Sequence, residues 1–263
     1  MIRSVTLSSD EGRRALQGLV DRFSEETGCR EVVRTILDRV RREGDAAVVD
    51  YCRRFDCPTM TAATLRVSEA EFARAEREVD DDFRATLRFA ADRVRRFHER
   101  ELDDSWLLTR DDGTITGRLV RPVDSAGLYV PGGTEGATPL VSSVLMNGLP
   151  ARIAGVGRRV MVTPPNRHGG VSAPLLVAAQ AIGIDEVYKA GSAWAIGALA
   201  FGTATIPRVD VIVGPGNQYV AEAKRQVQGR VRIDMLAGPS EVLVIADHTA
   251  DPAFIAADLL AQA

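Results

Sequence analysis

The stretch VDVIVGPGNQYVAEAKRQVQG, residues 209–229, carries the pattern that decides the fold. It opens with a run rich in Val and Ile, which is typical of a strand buried on both faces of a sheet. A Gly-Pro-Gly-Asn loop follows and leads directly into a run with helical character. This order of strand, glycine-rich loop and helix predicts one unit of a parallel sheet that is covered by helices.

The same alternation extends in both directions from this stretch, and helical runs separate most of the strands. The other predicted strands are AGLYV (126–130), RRVMVT (158–163), DEVYKA (185–190), RIDM (232–235) and EVLVIAD (241–247). One helical run contains Pro150, which we expect to kink or split it. Because crossovers between parallel strands are right-handed, the chain is predicted to form a Rossmann-like, doubly wound, mostly parallel α/β sheet.

Residues 1 to about 110 precede this alternation and are predicted to be helical. Two pairs of residues have the spacing of a capping box: Ser8 with Glu11, and Ser68 with Glu71. The helical pattern over residues 32–56 is interrupted at Gly44, so two successive helices are expected. A longer helix is predicted over 83–100, with its arginines mainly on a solvated face. The dipeptide Asp112-Gly113 then predicts a β-hairpin.

Composition and charge exclude several classes of protein. The net charge of -3 and the pI near 5.7 give no electrostatic footprint for nucleic acid. Neither a signal peptide nor an apolar run long enough to span a bilayer is apparent, so a cytoplasmic location without membrane contact is expected. The three cysteines form no Cys-x-x-Cys pair, which argues against disulfides and a zinc knuckle, and Cys52 is predicted to be a small core residue.

Two loops at predicted strand ends are the strongest candidates for a binding site: Tyr129–Thr134 and Gly214–Asn217. Ligands of open α/β sheets bind at the carboxyl ends of the strands, where glycines allow close approach and helix N-termini favour phosphate. The sequence leaves two interpretations open, a nucleotide-like ligand or tight structural turns. Asn217 is equally explained as a helix cap.

Other polar residues give weaker signals. Ser240 lies in the loop Ala237–Glu241 and could orient a substrate, but spacing alone favours a simple turn. His98, His168 and His248 have no metal-ligand spacing between them, so the histidines predict no metal site.

Many linked motifs, taken together, resemble the histidinol dehydrogenase family. They cover the chain from about residue 30 and occur in this order: VRREGDAAVVDYCRRFD, YVPGG, SSVLMNGLPARIAGV, VMVTPP, AIGALAFGT, IPRVDVIVGPGN, YVAEAKRQV, IDMLAGPSEVLVIAD and DLLAQA. The resemblance implies a homodimeric enzyme with NAD and zinc as cofactors. Such an enzyme oxidises L-histidinol through the aldehyde to L-histidine in two hydride transfers.

The same resemblance implies roles for individual residues. Tyr129 and Asn217 match residues that contact NAD, and Ser240 matches a substrate contact. Gln262 matches a zinc ligand that also borders the substrate. Trp194 stands in Gly-Ser-Ala-Trp-Ala, where the family usually has Gly-Gly-Ala-Gln-Ala and the Gln contacts NAD. An indole cannot reproduce the donor and acceptor of an amide, although its ring is able to stack on the cofactor.

Finally, the resemblance implies a division into domains and a catalytic apparatus that continues past this chain. We expect an amino-terminal helical arm (1–29), an inserted Rossmann-like NAD-binding domain (129–240) and an incomplete first α/β domain (30–128 plus 241–263). A helix begins at Asp251 without a stop signal. The remaining zinc ligands and the acid and base that act in catalysis are expected beyond Ala263.

Two alternatives stay open at this point. One is a catalytically inactive remnant that binds NAD or oligomerises, and the other is a sister zinc-dependent dehydrogenase acting on another small hydroxyl compound. An incomplete first domain is also predicted to expose sheet edge and apolar helix faces, and therefore to associate.

Overall fold

The computed structural model describes residues 5–21, 27–132, 139–236 and 242–261. The helices are α1 Asp10–Asp21, α2 Thr27–Glu43, α3 Asp45–Phe55, α4 Glu69–Glu78, α5 Asp81–His98, α6 Val141–Ile153, α7 Ala173–Ala181, α8 Ser192–Phe201, α9 Gln218–Val227 and α10 Pro252–Leu260. The strands are β1 Trp106–Thr109, β2 Ile115–Arg118, β3 Ser125–Tyr129, β4 Arg158–Thr163, β5 Glu186–Lys189, β6 Val211–Val213 and β7 Arg232–Ile233.

The central sheet confirms the predicted fold class. Its five strands are all parallel and lie in the order β5-β4-β3-β6-β7. The chain therefore builds outward from β3 in one direction, then returns to the other side of β3 to add β6 and β7. This reversal is the topological switch point of a doubly wound sheet, and it lies between β3 and β6.

Helices cover both faces of this sheet, as its continuous apolar strands predict. Alternate residues of each strand belong to two separate cores: Leu128 and Met161 face one, and Tyr129 and Val160 face the other. The first core lies under α6 and α7, and the second lies under α8 and α9. The period of two along each strand separates the layers, since successive side chains point to opposite faces.

The amino-terminal helices add an outer layer to each face. Helices α2 and α3 pack on α8, and α4 and α5 pack on α7 and α6. A side chain at Gly197 of α8 would lie 3.1 Å from Leu37 of α2, so the small residues of α8 permit this close approach. In addition, Val67 and Leu65 exchange backbone hydrogen bonds with β5 (2.8 and 2.7 Å), which covers the edge of the sheet.

Most local predictions for this region are confirmed, and one cap was assigned to the wrong residue. Gly44 separates α2 from α3 with a φ of 57°, and Ser68 and Glu71 form the capping box of α4. At α1, however, Ser9 rather than Ser8 is the cap, because its Oγ accepts the backbone N–H of Gly12 at 3.0 Å. The hairpin at Asp112-Gly113 is present as β1 and β2.

One further prediction for the elements is wrong, and one of the two outcomes expected at Pro150 does not occur. The strand expected over 241–247 is absent from the described residues 242–247, where Leu243 and Ile245 are 85% and 90% exposed. A strand needs a neighbour for its backbone groups, and none of the described strands lies beside this segment. Pro150 does not split its helix, since α6 continues to Ile153. Met146, whose carbonyl loses the N–H partner at Pro150, is exposed.

The hairpin and the final described segment stand apart from the two cores. All residues of β1 and β2 are exposed, and α10 has no buried residue, with Phe254 and Leu260 each 73% exposed. Asp251 caps α10 as predicted.

The proposed division into domains stays a prediction, although β3 already begins at Ser125, ahead of the expected boundary. Among the described residues, no helix is long and apolar enough to cross a bilayer.

Candidate dinucleotide site

The switch point brings the two candidate loops together at the carboxyl edge of the sheet. Tyr129 ends β3, and Gly214 directly follows β6, the strand beside it. Helices α6, α7, α8 and α9 each follow a strand of the sheet, so their N-termini lie at this same edge. Their partial positive charges favour an anion there.

Tyr129 is tied to the N-terminus of α8. Its side chain is buried, and its hydroxyl oxygen accepts the backbone N–H of Ser192 at 3.1 Å. Burial raises the pKa of Tyr129 to about 12, so its hydroxyl stays neutral at physiological pH. Ser192 itself has a φ of 47° and is the one non-glycine residue with positive φ among the described residues. Backbone strain of this kind clusters at functional sites.

The glycines of the Gly214–Asn217 loop are needed by the protein's own packing. Gly214 has a φ of 121°, and a Cβ at this position would lie 2.1 Å from the carbonyl oxygen of Tyr129. A Cβ on Gly216 would lie 2.4 Å from Val220. Packing within the protein is therefore enough to explain why both residues are glycine, and their presence alone does not indicate a ligand.

Asn217 is the N-cap of α9. Its Oδ1 accepts the backbone N–H groups of Tyr219 (3.1 Å) and Val220 (3.2 Å). The cap that the sequence allowed is thus present, and Asn217 is exposed at the start of the helix. Contact of Asn217 or Tyr129 with NAD stays a prediction.

A buried ion pair that the sequence analysis missed fixes the position of this loop. Lys224 is 1% exposed, donates from Nζ to the Gly214 carbonyl at 2.9 Å, and forms an ion pair with Asp234. Asp234 in turn accepts the backbone N–H of Gly214 through Oδ2 at 2.8 Å. We call Lys224 and Asp234 the Gly214 clamp, because together they bind both backbone groups of that glycine.

One signal for the clamp was available in the sequence. The chain contains only two lysines, Lys189 and Lys224, and every other residue of the Lys and Arg class is arginine. Both lysines are buried, and Lys189 pairs with Glu71 at 2.6 Å. The ammonium of lysine is a compact point charge with three donors, so Lys224 can bind a carbonyl and a carboxylate at the same time.

Trp194 lies in the first turn of α8, and its side chain packs in the core. Its side chain is 5% exposed, and its ring stacks on Tyr51 and Phe55 of α3 with centroid distances of 5.5 and 5.6 Å. Its indole also lies within hydrogen-bonding reach of the buried Cys52 thiol. Contact between this ring and NAD stays a prediction, and the stacking partners that the structure shows are protein side chains.

Asp56 follows α3 and lies near Trp194. Burial raises the pKa of Asp56 to about 6, and a hydrogen bond from the Cys52 thiol offsets part of that shift. Cys52 lies beside this carboxylate, is fully buried, and donates to the Lys189 carbonyl at 3.6 Å. Burial raises the pKa of the Cys52 thiol, which agrees with the predicted role as a core residue.

Ser240 and Gln262, the predicted substrate and zinc residues, lie outside the described residues, so their roles stay predictions. Within the described ranges no group of three or more His, Cys, Asp or Glu side chains is placed to hold a metal ion. Catalytic zinc needs about three protein ligands, so the described residues do not provide a zinc site.

A sequence profile described as histidinol dehydrogenase matches residues 21–263, which is most of the chain. The chain belongs to the histidinol dehydrogenase family. This result confirms the resemblance drawn from the linked motifs.

Individual relatives of this family agree with the profile. The chain is 66% identical over 264 residues to the histidinol dehydrogenase of Desulfotalea psychrophila, covering 100% of this chain and 61% of that protein. It is 49% identical over 262 residues to that of Oleidesulfovibrio alaskensis, covering 99% and 60%. The chain thus spans about 60% of the length of these curated relatives.

A solved structure from the family has the same fold. The crystal structure of histidinol dehydrogenase from Elizabethkingia anophelis superimposes with a TM-score of 0.80 at 42% identity, covering 88% of this chain and 53% of that chain. The doubly wound sheet and its helices therefore belong to the fold of the family.

Proposed function

We propose that this chain provides the NAD-binding part of a histidinol dehydrogenase, which oxidises L-histidinol through the aldehyde to L-histidine. The observation that carries the proposal is the carboxyl edge of the sheet at the switch point. There the Gly214–Asn217 loop, held by the Gly214 clamp, starts α9 beside the end of β3. In doubly wound sheets this is the position at which dinucleotides bind.

The residues at this edge have separable roles in the proposal. The N-termini of α8 and α9 favour the pyrophosphate, and Asn217 keeps the first turn of α9 in place while its exposed amide remains close to the ligand. Tyr129 holds the N-terminus of α8 through Ser192 at the end of β3. NAD, when bound, supplies the acceptor for the hydride that leaves the substrate carbon.

The rest of the reaction depends on residues outside the described part of the chain. We propose that Ser240 and Gln262 contact the substrate and that Gln262 is one ligand of the catalytic zinc, in keeping with the resemblance. A cytoplasmic homodimer is likewise part of the proposal. The exposed apolar side chains of the hairpin and of α10 support association with further protein surface.

The proposal is tested by isothermal titration of the 263-residue chain with NAD+. Asn217→Ala removes the cap of α9 at the candidate site. Ser68→Ala removes the cap of α4, which packs on α7 and does not contribute to the Gly214–Asn217 loop. Each change costs a similar amount of helix stability, about 1 kcal/mol. We expect only Asn217→Ala to weaken NAD+ binding, by about tenfold. The proposal fails if the wild-type chain does not bind NAD+, or if both variants bind it as the wild type does.

A separate assay distinguishes the remaining alternatives. If the chain oxidises L-histidinol with NAD+, and a chelator abolishes this turnover, the inactive remnant is excluded. Comparison of L-histidinol with other small alcohols as substrates then tests the sister dehydrogenase.

A further inference from the structure

A cavity of about 510 Å³ lies between helix α4 and the loop that joins β4 to α7. Its volume is in the range of sites that bind small molecules. Leu176 lines the cavity and belongs to the core under α6 and α7, whereas Tyr129 and Trp194 belong to the core under α8 and α9. The cavity therefore lies on the other face of the sheet from the side chains of Tyr129 and Trp194.

Lys189, the last residue of β5, lines this cavity with a side chain that is almost fully buried. Its Nζ donates to Oε1 of Glu71 at 2.6 Å. The other oxygen of Glu71, Oε2, accepts the backbone N–H and the hydroxyl of Ser68, both at 3.0 Å. A lysine ammonium has three donors, and among the described residues Glu71 is the one hydrogen-bond partner of Nζ. Two donors of Lys189 thus remain for a ligand in the cavity.

Thr163 adds a second polar group at this end of the cavity. It lies directly opposite Lys189 in the parallel register of β4 and β5, and both side chains are on the face that carries Met161 and Val187. Thr163 is fully buried, and its Oγ1 has no hydrogen-bond partner in the described part of the chain. The N-terminus of α7 also lies here, since Ala173 lines the cavity. These groups together favour a carboxylate.

Helix α4 gives the cavity charges of both signs. Glu71, Arg74 and Glu78 are spaced by three and four residues, so they lie on one face of the helix, and all three line the cavity. Arg74 Nε lies 3.5 Å from Glu78 Oε1, and both side chains are more than half exposed. A net anion would meet two carboxylates, and a net cation would meet Arg74 and Lys189. A zwitterion is the ligand that satisfies both signs.

The wall opposite α4 is held in shape by its own hydrogen bonds. Oδ1 of Asn166 accepts the backbone N–H groups of His168 at 2.9 Å and Gly170 at 3.0 Å. The Asn166 N–H in turn donates to the Gly170 carbonyl at 2.8 Å. Beyond this loop the lining is apolar, with Val171 and Leu176. The cavity is therefore preformed, and it offers an apolar surface beside its charged groups.

We propose that this cavity binds a free α-amino acid. The carboxylate of the ligand accepts hydrogen bonds from Lys189 and Arg74, its ammonium donates to Glu78, and its side chain packs against Leu176. Glu71 keeps its ion pair with Lys189. None of these residues belongs to the proposed NAD or substrate contacts, so the site does not depend on the proposed function.

The experiment observes the lysine side chains of the whole chain by NMR after isotope labelling of lysine. Two signals are expected, because the chain contains only Lys189 and Lys224, and Lys224→Met assigns them. L-Alanine and L-histidine are the probes, the second because it is the product of the proposed reaction. We expect both to shift the Lys189 signal and to leave the Lys224 signal in place. Propionate and ethylamine, which each carry one charge of alanine, should not shift either signal at the same concentrations.

Variants of α4 test the contacts without removing the buried lysine. Glu78→Gln and Arg74→Gln should each weaken amino-acid binding by about tenfold, the usual effect of losing a hydrogen bond to a charged group. Glu69→Gln, at an exposed position on the same helix and outside the lining, is the matched control and should bind like the wild type.

The contrary results are equally specific. The proposal is wrong if neither amino acid shifts the Lys189 signal, since any binding would then occur elsewhere. It is also wrong if propionate shifts this signal as L-alanine does, because the cavity would then be a site for simple anions. Equal affinity of Glu78→Gln and the wild type would likewise overturn it. Titration with NAD+ tests the proposed function separately from all of these outcomes.

Discussion

Replacement of Lys224 by Met tests the claim that the Gly214 clamp positions the loop of the candidate site. Met preserves most of the aliphatic stem of Lys224 but removes the ammonium that binds the Gly214 carbonyl and pairs with Asp234. Loss of one partner from a buried ion pair costs about 3–5 kcal/mol, because the other charge stays buried. The Asp234 side chain is 29% exposed and can recover some hydration. We therefore expect the free energy of unfolding to fall by about 3 kcal/mol.

The second lysine of the chain provides a matched comparison. Lys189 is also buried and paired, but its partner Glu71 belongs to α4, so this pair joins α4 to β5 without contact with the Gly214 loop. Urea unfolding should show a loss of stability for both Lys189→Met and Lys224→Met. Isothermal titration with NAD+, at a temperature where both variants are folded, should show weaker binding only for Lys224→Met, by about tenfold.

A double variant separates the charge from the hydrogen bonds. Asp234→Asn removes the carboxylate that Lys224→Met leaves unpaired, while the side-chain oxygen of Asn can still accept the Gly214 N–H. We expect the double variant to recover part of the lost stability. The reasoning is refuted if Lys224→Met unfolds at the same urea concentration as the wild type, or if both lysine variants lose NAD+ affinity equally.

Three further predictions concern the same edge of the sheet. Ser192→Gly should stabilise the fold by about 1 kcal/mol in urea unfolding, because Ser192 has a φ of 47° and glycine adopts this conformation without strain; an unchanged midpoint would contradict this. Gly214→Ala should destabilise the fold by about 3 kcal/mol, since its Cβ would meet the Tyr129 carbonyl. Gly113→Ala, at an open position with positive φ, is the control and should cost only about 1 kcal/mol. Equal losses in the two variants would show that packing is not the cause. Burial raises the pKa of Asp56 to about 6 from the usual 3.8, so the folded state holds this proton more tightly than the unfolded state. The contribution of the protonated carboxyl to folding stability is therefore lost as pH rises from about 4 to about 6. Asp56→Asn should therefore gain stability relative to the wild type across this range, by at most about 3 kcal/mol at pH 7; a pH-independent difference would refute the assignment.

Sequence periodicity predicted the central sheet well because its strands are buried on both faces. The runs around Leu128, Val160 and Val187 each contain consecutive buried apolar residues, and each corresponds to a strand of the structure. The prediction was wrong for residues 241–247, which have the same apolar composition but no neighbouring strand in the described residues. Composition reports the tendency to be buried in a sheet, and it does not report whether a partner is present.

The candidate site was predicted less completely, since its contacts join distant parts of the chain. The loop and the cap at Asn217 were identified from local sequence, because glycine turns and caps act over a few residues. The pairing of Lys224 with Asp234 depends on the geometry of β6, α9 and β7 together. The neighbourhood of Asp56 and Trp194 depends on the packing of α3 against α8, which no local pattern encodes.

A crystal structure of the 263-residue chain with NAD+ tests the central claim most directly. The account predicts electron density for the pyrophosphate at the N-terminus of α9, over the Gly214–Asn217 loop. Density for the dinucleotide at another surface, or an unchanged carboxyl edge at a saturating NAD+ concentration, would contradict the account.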